Sequence, residues 1–114
     1  ETLKEKKKKV TKLILAKQIK FGLKQIKKKD KIIIAYEPVW AIGSGLIPKP
    51  NELLKTITFI KNKIKNKNKV LYGGSVNSKN IKDLKKITNI DGFLIGGASQ
   101  DTNKFIDIIR KTYN

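Results

Sequence analysis

Three short apolar runs, Ile32-Ile33-Ile34-Ala35-Tyr36, Val70-Leu71-Tyr72 and Gly92-Phe93-Leu94-Ile95, constrain this chain more than any other feature. The first is continuously apolar, as expected of a parallel strand covered on both sides. Each run leads directly into a segment rich in glycine or proline, and helical spacing fills the stretches between them. The chain therefore reads α-β-α-β-α-β-α, an α/β arrangement with no linker or low-complexity boundary. Three parallel strands with covering helices fit part of a barrel that needs eight, and would leave two sheet edges unpaired.

The helical stretches have their own signals. From about residue 3 to 28 the spacing of Leu15, Ile19, Leu23 and Ile26 predicts one helix with an apolar face. The like-charge blocks Lys6–Lys9 and Lys27–Lys29 read as a solvated outer face. Pro50 suits a first helical turn, where its missing N–H goes unneeded, and Leu53, Ile57, Ile60 and Ile64 supply that helix's buried stripe. Lys61, Lys63, Lys65, Lys67 and Lys69 spread around or beyond its end. Ser78 is a candidate cap for a third helix with Ile81 and Leu84 inside, and Asp101 for a last one with Phe105, Ile106 and Ile109 facing inward.

The formal net charge is +18, from 27 basic and 9 acidic residues. Such a balance raises nucleic acid or an acidic membrane as a partner. The detail argues against both. Arg110 is the one arginine among the basic residues, and lysine, isoleucine and asparagine, which share A/T-rich codons, dominate together. A nucleic-acid reader more often uses arginine forks and interleaved aromatics, whereas Tyr36, Trp40, Tyr72 and Phe93 sit in or beside the apolar runs. No apolar run approaches the ~20 residues of a membrane span. With no cysteine, disulfides are excluded; with no histidine, the commonest general acid/base and metal ligand is missing. No metal or cofactor site is expected. The chain opens on Glu1 and has no methionine, which points to a processed chain or a fragment.

Glu37 follows the first strand directly, at the end of an α/β sheet where chemistry usually sits. Pro38 restricts it to extended backbone. Beyond lies Pro38-Val39-Trp40-Ala41-Ile42-Gly43-Ser44-Gly45-Leu46-Ile47-Pro48, in which Gly43 and Gly45 bracket Ser44. Glycines tolerate positive φ and close backbone approach, so this segment can fold over a ligand and offer it amides. The plainer reading is a solvent-exposed carboxylate at a strand end. Likewise, Tyr72-Gly73-Gly74-Ser75 and Ile95-Gly96-Gly97-Ala98 read equally as tight turns or as anion-binding amides.

Together, AYEPVWAIGSG, YGGSV and DGFLIGGAS resemble the triosephosphate isomerase family, in order and spacing, over essentially this whole chain but only the second half of the enzyme. The resemblance implies that residues 1–114 are the C-terminal portion of a single (β/α)8 domain, and that a cytoplasmic, homodimeric glycolytic and gluconeogenic isomerase is the complete protein. The glutamate base and closing lid established for that family imply Glu37 as catalytic base, residues 38–48 as lid, and Tyr72 as lid partner. Gly43, Ser75, Gly96 and Gly97 would hold the phosphate of a triose phosphate. Two departures stand out. The family's lid usually ends in Lys-Thr-Ala, here Leu46-Ile47-Pro48, so the third hinge amide that would meet the Tyr72 hydroxyl is absent. Lys61 stands where the family has arginine, which makes a pairing with Asp91 less rigid. The family's Lys, Asn and His belong to the other half, so the isolated segment is expected to be inactive. Alternatives are a decayed, non-catalytic remnant or basic interaction module, and a barrel acting on another sugar phosphate.

Overall fold

Parallel pairing of three short strands organises the chain. The computed structural model describes residues 1–65 and 68–114. Strands β1 (Ile33–Tyr36), β2 (Lys69–Tyr72) and β3 (Gly92–Phe93) form one parallel sheet in that order. Ile33 is in register with Lys69 through to Tyr36 with Tyr72, and Leu71 and Tyr72 with Gly92 and Phe93. Helices α1 (Leu3–Lys7), α2 (Thr11–Gly22), α3 (Pro50–Lys63), α4 (Ile81–Leu84) and α5 (Thr102–Tyr113) complete the α/β architecture. These are three of the eight strands a closed barrel uses.

The expected helix from 3 to 28 comes in two pieces. Thr2 and Glu5 form a reciprocal capping box that starts α1. Lys9 then adopts φ +59°, and the Val10 amide reaches back to the Glu5 carbonyl at 3.2 Å. This six-to-one bond around a left-handed residue ends a helix. The break falls at the end of the lysine run Lys6–Lys9. Helix α2 stops at Gly22, so Leu23 and Ile26 lie beyond it, and Leu15 alone of the expected face is buried. Ile19 and Leu23 are half-buried around a cavity of about 250 Å³ that opens between α2 and β1.

Helix α3 follows its sequence closely. Pro50 occupies the first turn, and Leu53, Ile57, Ile60 and Ile64 are all buried. Its end is marked by Lys65 at φ +55°; Lys69 begins β2, and Lys67 lies outside the described residues. The core forms on the helix side of the sheet, where Tyr36, Val70 and Tyr72 meet Leu53, Ile57, Ile60, Ile81, Leu84 and Ile108. The opposite face is open. Ile33 is 63% exposed and Ala35 is exposed, so β1 is covered on one side, not the expected two.

Three further expectations are corrected. Strand β3 is two residues long; one more bond, from the Leu94 amide to the Tyr72 carbonyl at 2.9 Å, precedes the bend at Gly96. Ser78 caps nothing: Asn77 Oδ1 accepts from the Lys79 and Asn80 amides, and Asn80 precedes α4. In α5, capped by Asp101 as expected, Ile108 is the buried residue, while Phe105, Ile106 and Ile109 are 36%, 40% and 40% exposed. That helix meets α4 and the turn before it, so only one line of its face is covered.

Lys61 pairs with Asp91 at 2.8 Å, and the same Asp91 oxygen accepts from the Val70 amide at 2.8 Å. Partial burial works against the Asp91 carboxylate, but the Lys61 and Val70 bonds hold its pKa below the ordinary value. One side chain thus ties α3 to the start of β2 and the approach to β3. The outer edges of β1 and β3 have no strand neighbour among the described residues, and such edges template further pairing. No helix among the described residues is long and apolar enough to cross a membrane.

Ile57→Ala empties a fully buried site and is expected to lower unfolding free energy by about 2–5 kcal/mol in urea melts. Leu13→Ala, on the exposed side of α2, should change it by no more than about 0.5 kcal/mol.

Candidate active site

The register of β1 and β2 sets the site. Because Tyr36 lies beside Tyr72, the next residues, Glu37 and Gly73, lie beside each other, and the Gly73 amide donates to the Tyr36 carbonyl at 3.0 Å. A Cβ on Gly73 would come within 2.7 Å of Glu37 Cγ and 3.0 Å of its Oε1. A side chain at 73 would therefore push Glu37 aside, so Gly73 is favoured by close approach, not by a left-handed turn. Gly74 has the same reason, since a Cβ there would meet Tyr72 Cζ at 2.6 Å and Ala41 Cβ at 3.1 Å. Glu37 itself is exposed and makes no side-chain hydrogen bond among the described residues. Pro38 behind it is buried.

The segment from Pro38 to Pro48 begins with a 3₁₀ turn, Val39–Ala41, and lies over the turn after β2. Gly43 and Gly45 take φ +64° and +77°, the conformations for which glycine is suited. The Gly45 amide donates to Ser75 Oγ at 2.9 Å, and Ser75 Oγ donates to the Ala41 carbonyl at 2.6 Å. Ser44 Oγ braces the segment internally, donating to the Trp40 carbonyl at 2.8 Å and accepting from the Leu46 amide at 3.2 Å. One hydroxyl, that of Ser75, therefore joins both limbs of the segment to β2.

A cavity of about 430 Å³ lies beneath it, lined by Glu37, Gly43, Gly45, Gly73, Gly74, Ser75, Gly96 and Gly97, with Asn77 and Lys104. The carboxylate and all four residues expected to hold phosphate thus share one cavity. Among the described residues the backbone amides of Gly43, Ser75, Gly96 and Gly97 donate to no protein acceptor. A Cβ at Gly96 or Gly97 would meet nothing within 4 Å, so these two glycines leave open space at the cavity.

Sequence reasoning missed four contributors. Glu1 is buried; its carboxylate accepts from the Tyr36 hydroxyl at 3.0 and 3.2 Å and the Trp40 indole at 3.3 Å, and its carbonyl from the Val39 amide at 3.0 Å. Burial, then the Glu1 charge, push the Tyr36 pKa far above its ordinary value. Nothing in the sequence marks a leading glutamate as buried. Asn77 was legible as a turn former: with Asn80, whose Nδ2 donates to the Ser75 carbonyl at 3.0 Å, it fixes the turn that carries Ser75. Lys104 lines the cavity from the first turn of α5. Lys6 lies against Trp40, its ammonium 4.0 Å from the ring centroid.

Tyr72 is fully buried, yet its hydroxyl has no hydrogen-bond partner among the described residues. Pro48, at the hinge position the resemblance pairs with it, is also buried and has no N–H to give. Burial alone pushes the Tyr72 pKa up to about 12.

Fold and site together define an α/β barrel-type chain with an amide-rich cavity at the carboxyl ends of its strands, beside the 38–48 segment. The triosephosphate isomerase family model matches residues 1–112. Relatives named triosephosphate isomerase from Thermodesulfovibrio yellowstonii, Candida albicans and Dictyostelium discoideum are 40%, 43% and 43% identical, each over 96% of this chain. The alignments cover 48%, 47% and 46% of those proteins, so the chain spans about half their length. The chain belongs to the triosephosphate isomerase family.

An unmade buried hydrogen bond costs about 1–3 kcal/mol. Tyr72→Phe removes the orphaned oxygen and keeps the ring, so stability should be unchanged or raised by up to about 1 kcal/mol; a loss above about 1 kcal/mol would reveal a partner for the hydroxyl. Above pH 10 the unfolded tyrosine ionises before the buried one, so its contribution to stability falls as pH rises from about 10 to about 12. The Tyr72→Phe substitution should abolish that component of the alkaline unfolding profile.

Proposed function

We propose that these residues are the C-terminal portion of a triosephosphate isomerase, and that the complete protein interconverts dihydroxyacetone phosphate and glyceraldehyde 3-phosphate. The observation that carries this reading is the shared cavity of Glu37, Gly43, Ser75, Gly96 and Gly97 beneath the 38–48 segment. Glu37 takes a proton from one carbon beside the carbonyl and returns it to the neighbouring carbon through an enediolate. A base for such a step must be aimed by its backbone, and buried Pro38 with close-packed Gly73 does so. Backbone amides at Gly43, Ser75, Gly96 and Gly97 hold the phosphate, and the lid keeps water from the enediolate.

An electrophile for the carbonyl must come from elsewhere, because the chain has no histidine. The remaining catalytic groups belong to the other half of the protein, and the 114 residues alone are inactive. A homodimer in the cytoplasm is the assembly and place that go with the family. The one observation favouring a decayed remnant is the hinge, where Pro48 leaves the Tyr72 hydroxyl unpartnered.

In a coupled assay on the native-length polypeptide, Glu37→Gln should lower kcat by about 10³-fold or more with little change in KM, the pattern of a group that acts only in the transition state. Isomerisation at the parental rate in this variant would remove Glu37 from the mechanism. No turnover by the native-length parent would favour the remnant.

A further inference from the structure

Trp40 is the only tryptophan in the chain, and it sits at the root of the lid. Its indole N–H edge is held by Glu1 at 3.3 Å, and its face carries the Lys6 ammonium 4.0 Å from the ring centroid. The same Lys6 nitrogen is 2.9 Å from Glu52 Oε2, in the first turn of α3. Glu52 precedes Leu53, which is fully buried, so the carboxylate stands on a fixed part of the helix. Lys6 itself belongs to α1, whose start is set by the Thr2–Glu5 capping box. The cleft behind the lid is lined by Lys6, Trp40, Glu52 and Pro48, so it touches both the entering and the leaving end of the lid.

We propose that Lys6 and Glu52 form an ionic clip on the lid root, with Lys6 a positioning residue that acts through Trp40. This rests on reading residues 38–48 as a lid. An ammonium over an aromatic face is attracted by the ring's quadrupole. Free in solution, such a lysine would sample many positions; the bond to Glu52 restricts it to the ring. The Lys6 bond also holds the Glu52 carboxyl below its ordinary pKa. An exposed ion pair by itself contributes little to stability. Here its consequence comes from location: it couples two helices to the residue at the root of the lid, while Ser75 joins both limbs beyond it to the turn after β2. The side chains are 31% and 49% exposed, so salt weakens the clip without water being excluded from it.

The test uses native-length polypeptide labelled with 5-fluorotryptophan, the Trp40 ¹⁹F resonance being identified through Trp40→Phe. Lys6→Met removes the charge and keeps the apolar stem. Its Trp40 resonance should move toward the solvent-exposed position, with a roughly fivefold larger detached fraction, the ratio that corresponds to a cation–π contact of about 1 kcal/mol. Lys6→Arg should restore the parental shift, and Glu52→Gln should fall between. About 0.5 M NaCl should move the parent toward Lys6→Met and leave that variant unchanged.

An unmoved resonance in Lys6→Met, or failure of arginine to rescue, overturns the clip. Should Lys6→Met not fold, Glu52→Gln and the salt titration of the parent decide it by the same shift. Turnover of glyceraldehyde 3-phosphate, assayed separately, bears on the isomerase reading. An inactive parent with the clip signature overturns that reading alone, and an active parent without it overturns the clip alone.

Discussion

The register between β1 and β2 is the constraint on which the rest depends. Pairing Tyr36 with Tyr72 puts the carboxylate of one strand end against the glycine turn of the next, and hangs the 38–48 segment and its serine anchor from adjacent roots. A slip of one residue would exchange the faces of every side chain on β1, burying Ile33 and Ala35 and turning Tyr36 out of the core. The register is fixed from the helix side, where Val70 and Tyr72 are fully buried against α3 and α4. Packing remote from the cavity therefore determines what the cavity brings together.

What was legible in the sequence was whatever local chemistry decides. The apolar runs marked the strands, Pro50 the start of α3, its four-residue stripe the buried face, and Asp101 the cap of α5. The pairing of Lys61 with Asp91 followed from resemblance, and lysine reaches the carboxylate despite lacking arginine's fork. Less legible was whatever depends on which elements meet. Phe105, Ile106 and Ile109 have helical spacing, but spacing does not say how much of a face a neighbour covers, and α5 has few neighbours here. The break at Lys9 escaped because lysine carries no sequence signal for a left-handed residue. Serine's preference for helix caps marks Ser78, whereas it is the neighbouring Asn77 whose side chain closes the turn.

Glu1 and Lys6 were invisible for a different reason. Each acts across more than thirty residues on Trp40, and in a chain with 27 basic residues one more lysine draws no attention. The excess charge is mostly solvated surface. Where lysines meet a carboxylate from another element, as Lys6 meets Glu52 and Lys61 meets Asp91, they tie elements together. The same residue type thus supplies both the background and two of the ties.

Gly73 carries a further implication for how this sequence can change over time. The space its missing side chain leaves is taken up by Glu37 Cγ and Oε1, so a side chain at 73 would have to displace that of Glu37. A bulkier residue at 73 is accommodated by a shorter side chain at 37 or by swinging the glutamate aside, and either one moves the carboxylate. A change at 73 is thus read out at 37, and the two positions are expected to vary together.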